Sequence, residues 1–295
     1  MKYIHTVLIL FLLGAGCLQA QETDDNLLIP SVSAFTVGKG EVAVNLFGAY
    51  SYNFKAFNFN SIPYSYLESE FNSMNTFIQA TIGVSANRNF NLGVDMNQVQ
   101  TWEAGNTDNS SSFFRLGPRL RWRPLGELGE TFDLVMQNSL LFTLGDQNDI
   151  LADNPEIRNQ LIASKFLRWE SLGTDIILQA SGELNLLTKS SLASVDQKAP
   201  MLFATSFLLG VAPNENWLAF GSINYNTESG NLPWVETDDY YQRRAGTSAS
   251  AGLQFILARK HALFLSHTFL IDELRGGGAN TFSVGLRLLF LKQYD

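Results

Sequence analysis

Residues 281–290 read TFSVGLRLLF, and this stretch decides the fold class. Apolar residues occupy every second position, at Phe282, Val284, Leu286, Leu288 and Phe290. The positions between them begin with Ser283, Gly285 and Arg287. Successive side chains of a β-strand point to opposite faces, so this segment predicts a strand with one apolar face and one polar face.

The same alternation recurs along the chain, for example at 76–85, 90–97 and 175–185. We predict twelve strands, at 41–54, 74–86, 90–101, 112–123, 132–144, 160–170, 174–187, 201–212, 217–227, 241–257, 261–271 and 280–291. Strand 160–170 has the weakest pattern, because Lys165 and Arg168 fall on opposite faces. No segment after the N-terminus predicts a membrane-spanning helix, which needs about 18 apolar residues in a row.

The composition agrees with a β-rich membrane protein and excludes other classes. Hydrophobic residues make up 45% and charged residues 16% of the 295 residues, a balance that argues against disorder. The net charge of −8 and the pI of about 4.9 argue against a nucleic-acid partner. The single cysteine, Cys17, excludes a disulfide framework.

Loop lengths separate the two folds that alternating strands allow, a soluble sandwich and an outer-membrane barrel. Long connections are predicted at 55–73, 102–111, 145–159, 188–200, 228–240 and 272–279, and they alternate with short ones at 87–89, 124–131, 171–173, 213–216 and 258–260. Long loops at one rim and short turns at the other are typical of outer-membrane barrels. We therefore predict an all-β, 12-stranded antiparallel transmembrane β-barrel, an up-and-down meander over 41–291, followed by a tail at 292–295.

The N-terminus predicts export. Lys2 precedes a short apolar run at 7–13, and Ala20 provides a small residue at a cleavage site, so residues 1–20 fit a signal peptide cleaved before Gln21. A lipid-modified Cys17 is the alternative. Residues 21–40 are predicted to form a periplasmic tail or a short plug. Together these features predict the outer membrane of a Gram-negative bacterium, with outer-membrane lipid as the surroundings.

The last strand resembles the C-terminal β-signal of outer-membrane proteins, which combines a polar residue, a glycine, an apolar residue and a final aromatic. Ser283, Gly285, Leu288 and Phe290 occupy these positions, although five residues follow the aromatic one. The resemblance implies that the barrel-insertion machinery is a partner. The opening at 36–42 (TVGKGEV) and the last third, 252–290, also resemble transporter barrels of the phenol meta-degradation type. That resemblance implies transport of small hydrophobic or aromatic compounds.

One strand carries four arginines on its polar face: Arg115, Arg119, Arg121 and Arg123. Each would cost ~2–4 kcal/mol facing lipid at the midplane, so they are predicted to line the lumen. Asp95 is expected near Arg119, and Asp133 near Arg121 or Arg123. Glu183, Arg244 and Arg287 are also predicted to point inward. The cluster is either a charged constriction of a pore or a set of ion pairs that fills the lumen.

An enzyme is not expected. Outer-membrane lipid hydrolases resemble one another in a His-x-Ser pair on a strand. Neither His261 nor His267 begins such a pair, and Ser266 lies on the opposite face from His267. No cluster predicts a metal or cofactor site. The leading prediction is therefore a passive channel or transporter for a small solute. The alternative is a non-conducting barrel that serves as a scaffold or subunit of an envelope complex. The solute and the oligomeric state stay open.

Overall fold

The computed structural model describes residues 36–58, 65–103, 106–125, 132–144, 155–187, 201–229, 244–257, 261–274 and 280–290. They form twelve strands: β1 Val42–Asn58, β2 Ser65–Gly83, β3 Phe90–Glu103, β4 Asn106–Trp122, β5 Asp133–Leu144, β6 Glu156–Trp169, β7 Thr174–Leu187, β8 Met201–Asn214, β9 Trp217–Ser229, β10 Arg244–Leu257, β11 His261–Leu274 and β12 Asn280–Phe290. A 3-10 turn, Glu170–Leu172, links β6 to β7.

The strands close into one antiparallel barrel in which each strand pairs with its neighbours in sequence. Strands β1 and β12 complete the circle, with Val42 opposite Phe290 and Tyr52 opposite Asn280. The 12-stranded up-and-down barrel predicted from the alternation is therefore confirmed. Closure leaves no free strand edge, which is what a sheet needs in order to sit in lipid. Within the described residues, no helix is both long and apolar enough to cross a membrane.

The two faces of the wall differ as the alternation requires. Inward-facing residues are buried and mostly polar or small, whereas most large exposed hydrophobic residues, such as Leu92, Leu161 and Ile223, point outward. Aromatic pairs lie near both ends of the outer surface. Phe90 stacks on Trp122 at a ring distance of 6.3 Å near the 84–89 connection, and Tyr50 stacks on Trp102 at 6.2 Å near the opposite end. This placement is typical of residues at the two lipid–water interfaces.

We call the barrel end with the connections 84–89, 170–173 and 215–216 the turn end, and the opposite end the loop end. Several predicted boundaries at the loop end are wrong. The predicted loop at 102–111 is mostly strand, because β3 and β4 continue to pair as far as Glu103 and Asn106. Likewise, β2 begins at Ser65, inside the predicted loop 55–73. The sequence of these extensions is polar and rich in hydroxyl groups, so it does not predict strands. A strand that extends beyond the lipid needs no apolar alternation.

Strand β6 is longer than predicted and its polar residues have partners. It begins at Glu156, within the predicted loop 145–159, and it ends at Trp169. Lys165 is buried at 6% exposure, and Arg168 forms a 3.3 Å ion pair with Asp175 on β7. The unclear alternation therefore reflects one buried cation, Lys165, and one exposed cation that is paired with the next strand, and the even strand count holds.

A short N-terminal segment, residues 36–40, enters the turn end of the barrel. Val37 is 1% exposed, and its N–H donates to the Asn91 Oδ1 atom at 3.0 Å. The Asn91 side-chain amide donates in return to the Val37 carbonyl at 2.8 Å. Lys39 forms an isolated parallel bridge with Gly83. The predicted signal peptide at 1–20, including Cys17, most of the 21–40 segment and the 292–295 tail lie outside the described residues.

Candidate functional site in the barrel lumen

Charged side chains gather on one side of the lumen, along β3–β6. We call this region the charged wall. It comprises Asp95, Arg115, Arg119, Arg121, Arg123, Asp133, Glu156 and Arg158. Their positions follow from strand parity, because each lies on the face that the barrel turns inward. Gly93 and Gly117 share this face. A Cβ at Gly93 would lie 2.9 Å from the Arg119 guanidinium, so glycine leaves the space that the arginine uses.

Asp95 is the centre of the charged wall and is fully buried, at 0% exposure. Its Oδ1 atom accepts from Arg119 at 2.6 Å, and its Oδ2 atom accepts from the Ser139 hydroxyl at 2.7 Å. Arg119 also donates to the Thr81 hydroxyl and, at 3.3 Å, to the Ala80 carbonyl. One carboxylate and one guanidinium thus connect four strands, β2 to β5.

This network lies beside an interruption in the β4–β5 ladder. Residue pairs are present at Leu116–Phe142 and Arg119–Ser139, but none is formed between those two pairs. Pro118 lies in the gap and has no N–H to donate. A Cβ at Gly117 would overlap the Leu140 carbonyl, so the two backbones approach closely there. The side-chain bridge from Ser139 through Asp95 to Arg119 holds these strands where backbone bonds are missing.

The other arginines of the charged wall also have partners on neighbouring strands. Arg121 donates through two nitrogens to the side-chain Oε1 atom of Gln137, at 3.0 and 2.5 Å. Arg123 forms an ion pair with Asp133, which resolves the choice left open between Arg121 and Arg123 for that carboxylate. Arg115 forms an ion pair with Glu156.

A chain of alternating charges continues around the lumen from β4 to β7. Glu156 accepts from Arg115 through Oε2 and from Arg158 through Oε1, the latter at 3.1 Å. Arg158 also lies 3.5 Å from Glu183 Oε1, which accepts from Asn185 at 2.9 Å. The two cations and two carboxylates in this chain balance one another, so it contributes no net charge to the lumen.

The remaining predicted lumen residues lie apart from this chain. Arg287, on β12, is 1% exposed, donates to Asn45 Oδ1 at 3.3 Å and lies 5.3 Å from the ring centre of Phe264. Arg244 begins β10 opposite Glu228 in the backbone register. Its side chain is outside the described part of the structure.

The opposite side of the lumen, along β7–β11, carries mainly hydroxyl, amide and apolar groups. We call it the neutral wall. It comprises Ile177, Gln179, Ser181, Ala204, Ser206, Leu208, Ala212, Leu218, Phe220, Asn224, Ser248, Ser250, Phe264, Ser266 and Thr268. Ser250 and Thr268 share a 2.8 Å hydrogen bond, and Asn224 donates to Ser250 at 3.1 Å. Towards the turn end, Ile177, Ala212 and Leu218 form a buried apolar cluster.

A cavity of about 410 Å³ lies along the neutral wall. Its lining combines amide and hydroxyl groups, one carboxylate from Glu183 and the rings of Phe47, Phe220 and Phe264. None of the eight residues that define the charged wall lines it. This cavity therefore lies beside mainly neutral side chains, and Glu183 is the point where it meets the alternating charges.

The residues of the proposed assembly signal divide between the two faces of β12. Ser283 points inward and is 6% exposed, and Gly285 also points inward, against the Phe47 ring. Leu288 and Phe290 lie on the outward face, and Phe290 is 53% exposed. Phe290 pairs with Val42 at the β1–β12 closure.

His261 and His267 both make structural contacts. The His261 Nδ1 atom accepts from the Leu289 N–H at 3.2 Å, and the His267 Nε2 atom lies 3.0 Å from the Tyr52 hydroxyl. Among the described residues, no group of three or more His, Cys, Asp or Glu side chains has metal-binding geometry. Neither histidine faces a serine nucleophile in the contacts of the described chain.

Several lumen residues were missed in the sequence. Glu156 and Arg158 were assigned to a loop. Gln137 and Ser139 lie on the polar parity of a predicted strand, so their inward direction could have been read, but their partners depend on the register of β4 with β5. Asn91 also lies on the polar parity of a predicted strand. Its partner has no signal in the sequence, because that partner is the backbone of a segment that enters the barrel from outside the sheet.

Solved structures with a similar fold are outer-membrane barrels. An outer membrane channel from Pseudomonas putida F1 aligns with a TM-score of 0.63 at 11% identity, over 92% of this chain and 100% of that one. The beta domain of the Bordetella autotransporter BrkA aligns with a TM-score of 0.50 at 12% identity, over 85% of this chain and 100% of that one. No family model and no curated protein matches the sequence. The chain thus has the fold of bacterial outer-membrane β-barrels.

Proposed function

We propose that this protein is an outer-membrane channel for small solutes, and that the solute passes along the neutral wall. The observation that carries the proposal is the cavity of about 410 Å³, whose lining is uncharged except for the Glu183 carboxylate. Such a volume lies within the range of about 300–1,000 Å³ that is typical of small-molecule sites. The Pseudomonas putida protein of similar fold is described as an outer membrane channel, which agrees with the proposal.

The charged wall serves in this proposal as a scaffold. Asp95 and Arg119 are almost fully buried and bind each other and their neighbours, so they have little capacity left to attract an ion. Buried pairs of this kind cost desolvation energy and recover it through their mutual contacts. Of the two alternatives for the arginines, a charged constriction or a set of ion pairs, these contacts favour the ion pairs, and the proposed path avoids the arginines.

Location and orientation complete the proposal. The outward apolar surface, its aromatic residues at both ends and the barrel fold support insertion in the outer membrane. We place the turn end, where the described chain begins at residue 36 and ends at residue 290, on the periplasmic side. A cysteine at Asn214, beside the 215–216 turn, should stay unlabelled by an impermeant reagent on intact cells and react once the outer membrane is opened. Labelling on intact cells would contradict this orientation and would place the turn end outside the cell.

Conductance tests the channel. The purified full-length barrel in planar lipid bilayers should give discrete current steps, and liposomes that contain it should swell in isotonic solutions of small neutral solutes. Silence in both assays, from a barrel that keeps its folded electrophoretic mobility, would favour the alternative, a non-conducting scaffold or subunit of an envelope complex.

We also propose that β12 is read as an assembly signal, on the resemblance of residues 283–290 to such signals. Phe290→Ala should lower the amount of barrel in the outer membrane and leave unfolded chain in the periplasm. Leu289→Ala is the matched control, because Leu289 is adjacent but points inward and is 5% exposed. Equal losses from both variants would mean that packing, and not signal reading, causes the defect.

A further inference from the structure

Gln179 is a buried residue with an unused acceptor at the cavity. It is 8% exposed and lines the cavity from β7. Its Oε1 atom has no hydrogen-bond partner among the described residues. A buried carbonyl oxygen without a donor is unfavourable, so proteins seldom keep one without a reason. A solute that donates a hydrogen bond would remove this cost when it enters.

The rest of the lining offers further acceptors beside apolar ring faces. Ser181 and Glu183 follow Gln179 along the same face of β7, and the known contacts of Glu183 reach only its Oε1 atom. Phe47 and Phe264 contribute rings to the same cavity. Arg287 lies over the Phe264 ring, and Gly285 lies against the Phe47 ring, so neighbours from β12 hold both rings in place.

We propose that this cavity binds a neutral polyhydroxylated ring of the size of a monosaccharide. Hydroxyl groups would donate to Gln179 and Glu183, while the C–H face of the ring would pack against the phenylalanines. This assignment rests on the proposed function and gives it a solute class. The dimensions agree, because the cavity holds about 410 Å³.

Charge excludes the main alternatives. An anionic solute would meet the Glu183 carboxylate, the one acidic group in the lining. A cationic solute would meet that carboxylate only in competition with Arg158, which lies 3.5 Å from it. A purely apolar solute would leave the Gln179 acceptor and the serine hydroxyls without donors, at the cost that buried polar groups carry.

The experiment uses the full-length barrel and glucose as the probe. Glucose should interrupt the single-channel current in a concentration-dependent way and should bind the detergent-solubilised barrel in isothermal titration calorimetry. Gluconate is the anionic comparison, and cyclohexylmethanol is the comparison with a single hydroxyl group. Both should interrupt the current less than glucose does. The comparison tests the hydroxyl groups and the neutral charge separately.

Gln179→Leu is the decisive variant. It removes the unused acceptor at similar volume, so it should weaken glucose binding by roughly twofold to tenfold. It should also raise the melting temperature of the empty barrel, because a buried unsatisfied oxygen disappears. A purely structural role for Gln179 predicts the opposite change in stability. Gln79→Leu is the control, since Gln79 is 4% exposed on β2 and does not line the cavity.

The outcomes separate this inference from the proposed function. A barrel that conducts ions but shows no glucose-dependent current interruption overturns the solute class and leaves the channel intact. A silent barrel overturns the channel itself. Equal weakening of glucose binding by Gln179→Leu and Gln79→Leu also overturns the assignment, because the effect would then not come from the cavity.

Discussion

The charged wall and the neutral wall are built from the same alternating strands, yet they use their inward positions in opposite ways. On the charged wall, long side chains such as Arg119 reach across to other strands and bind groups there. On the neutral wall, short side chains such as Ser206 and Ser248 leave a cavity in front of them. Side-chain length, together with pairing, decides whether these inward positions bridge strands or border a cavity.

The comparison changes how charge in a barrel lumen is interpreted. Four arginines on one face suggest a selective pore when the strand is considered alone. In the folded barrel, Arg119 and Arg123 each reach a carboxylate on an adjacent strand, and Arg121 reaches an amide. Inward charge therefore indicates strand-to-strand bonding here, and the position of open volume is the better guide to the path of a solute.

The largest effect should come from reversing charge on the charged wall. Arg119→Glu combined with Arg121→Glu removes the cation that neutralises Asp95 and places two further carboxylates beside it. The free energy of unfolding should fall by at least about 3–5 kcal/mol, the cost of leaving a buried charge without its partner. Urea titration, followed by the loss of folded electrophoretic mobility, measures the change.

The matched control places the same charges on the other wall. Ser206→Glu combined with Ser248→Glu puts two carboxylates against the cavity, where solvent can reach them. Stability should fall much less than in the arginine double variant. Equal losses on both sides would show that the walls do not differ in packing, and the comparison would fail.

A smaller effect on stability but a large one on transport is expected from filling the cavity. Ala204 lines it from β8, and Ala204→Phe places a ring in the open volume. Single-channel conductance should fall severalfold while the melting temperature stays close to that of the parent. Leu209→Phe introduces the same ring on the outward face of the same strand, where Leu209 is 46% exposed, and should leave conductance unchanged. Unchanged conductance in Ala204→Phe would place the path elsewhere.

Glu183 joins the two regions, so its charge can be tested at their boundary. Glu183→Gln leaves Arg158 with Glu156 as its carboxylate partner and gives the lumen one more net positive charge. The reversal potential should move towards anion selectivity. The shift should be larger at 0.01 M salt, where screening extends over ~30 Å, than at 0.1 M, where it extends over ~10 Å.

Asp175→Asn provides the control for this change in charge. It also removes a carboxylate from an arginine pair, but the Arg168 side chain of that pair is 39% exposed near the turn end. Its selectivity shift should be smaller, because solvent screens the exposed cation. A larger shift from Asp175→Asn would move the selective part of the lumen to the turn end.

Much of this fold could be predicted because a strand in lipid has a strict two-residue period. The alternation in 281–290 and its repeats predicted twelve strands, and the described residues form twelve. The boundaries at the loop end failed because residues 106–112, whose sequence NTDNSSS is polar throughout, continue the backbone ladder between β3 and β4. Outside lipid, nothing forces one face of a strand to be apolar, so the sequence carries no alternation that would reveal these strand extensions.

The site was harder to predict from the sequence, because it depends on the register between strands and on the lengths of the side chains. Parity alone assigned Arg119 and Asp95 to the same face, and an assumed symmetric hairpin placed them close together. Parity could not place Gln137 beside Arg121, which requires the β4–β5 register. It also could not locate the cavity, since open volume results from several short side chains on strands that are distant in sequence.

The finest comparison removes one hydroxyl from each wall. Ser139 donates to the buried Asp95 carboxylate at 2.7 Å, whereas Ser250 bonds the neutral Thr268 hydroxyl at 2.8 Å. Hydrogen bonds to charged groups contribute about 1.5–3 kcal/mol, and neutral ones about 0.5–1.5 kcal/mol. Ser139→Ala should therefore lower the free energy of unfolding more than Ser250→Ala. Ser139 is also 3% exposed, so water has little access to replace its donor to Asp95. Urea titration of the two variants and the parent barrel gives the difference directly, and equal losses would mean that Asp95 draws its stabilisation from Arg119 alone.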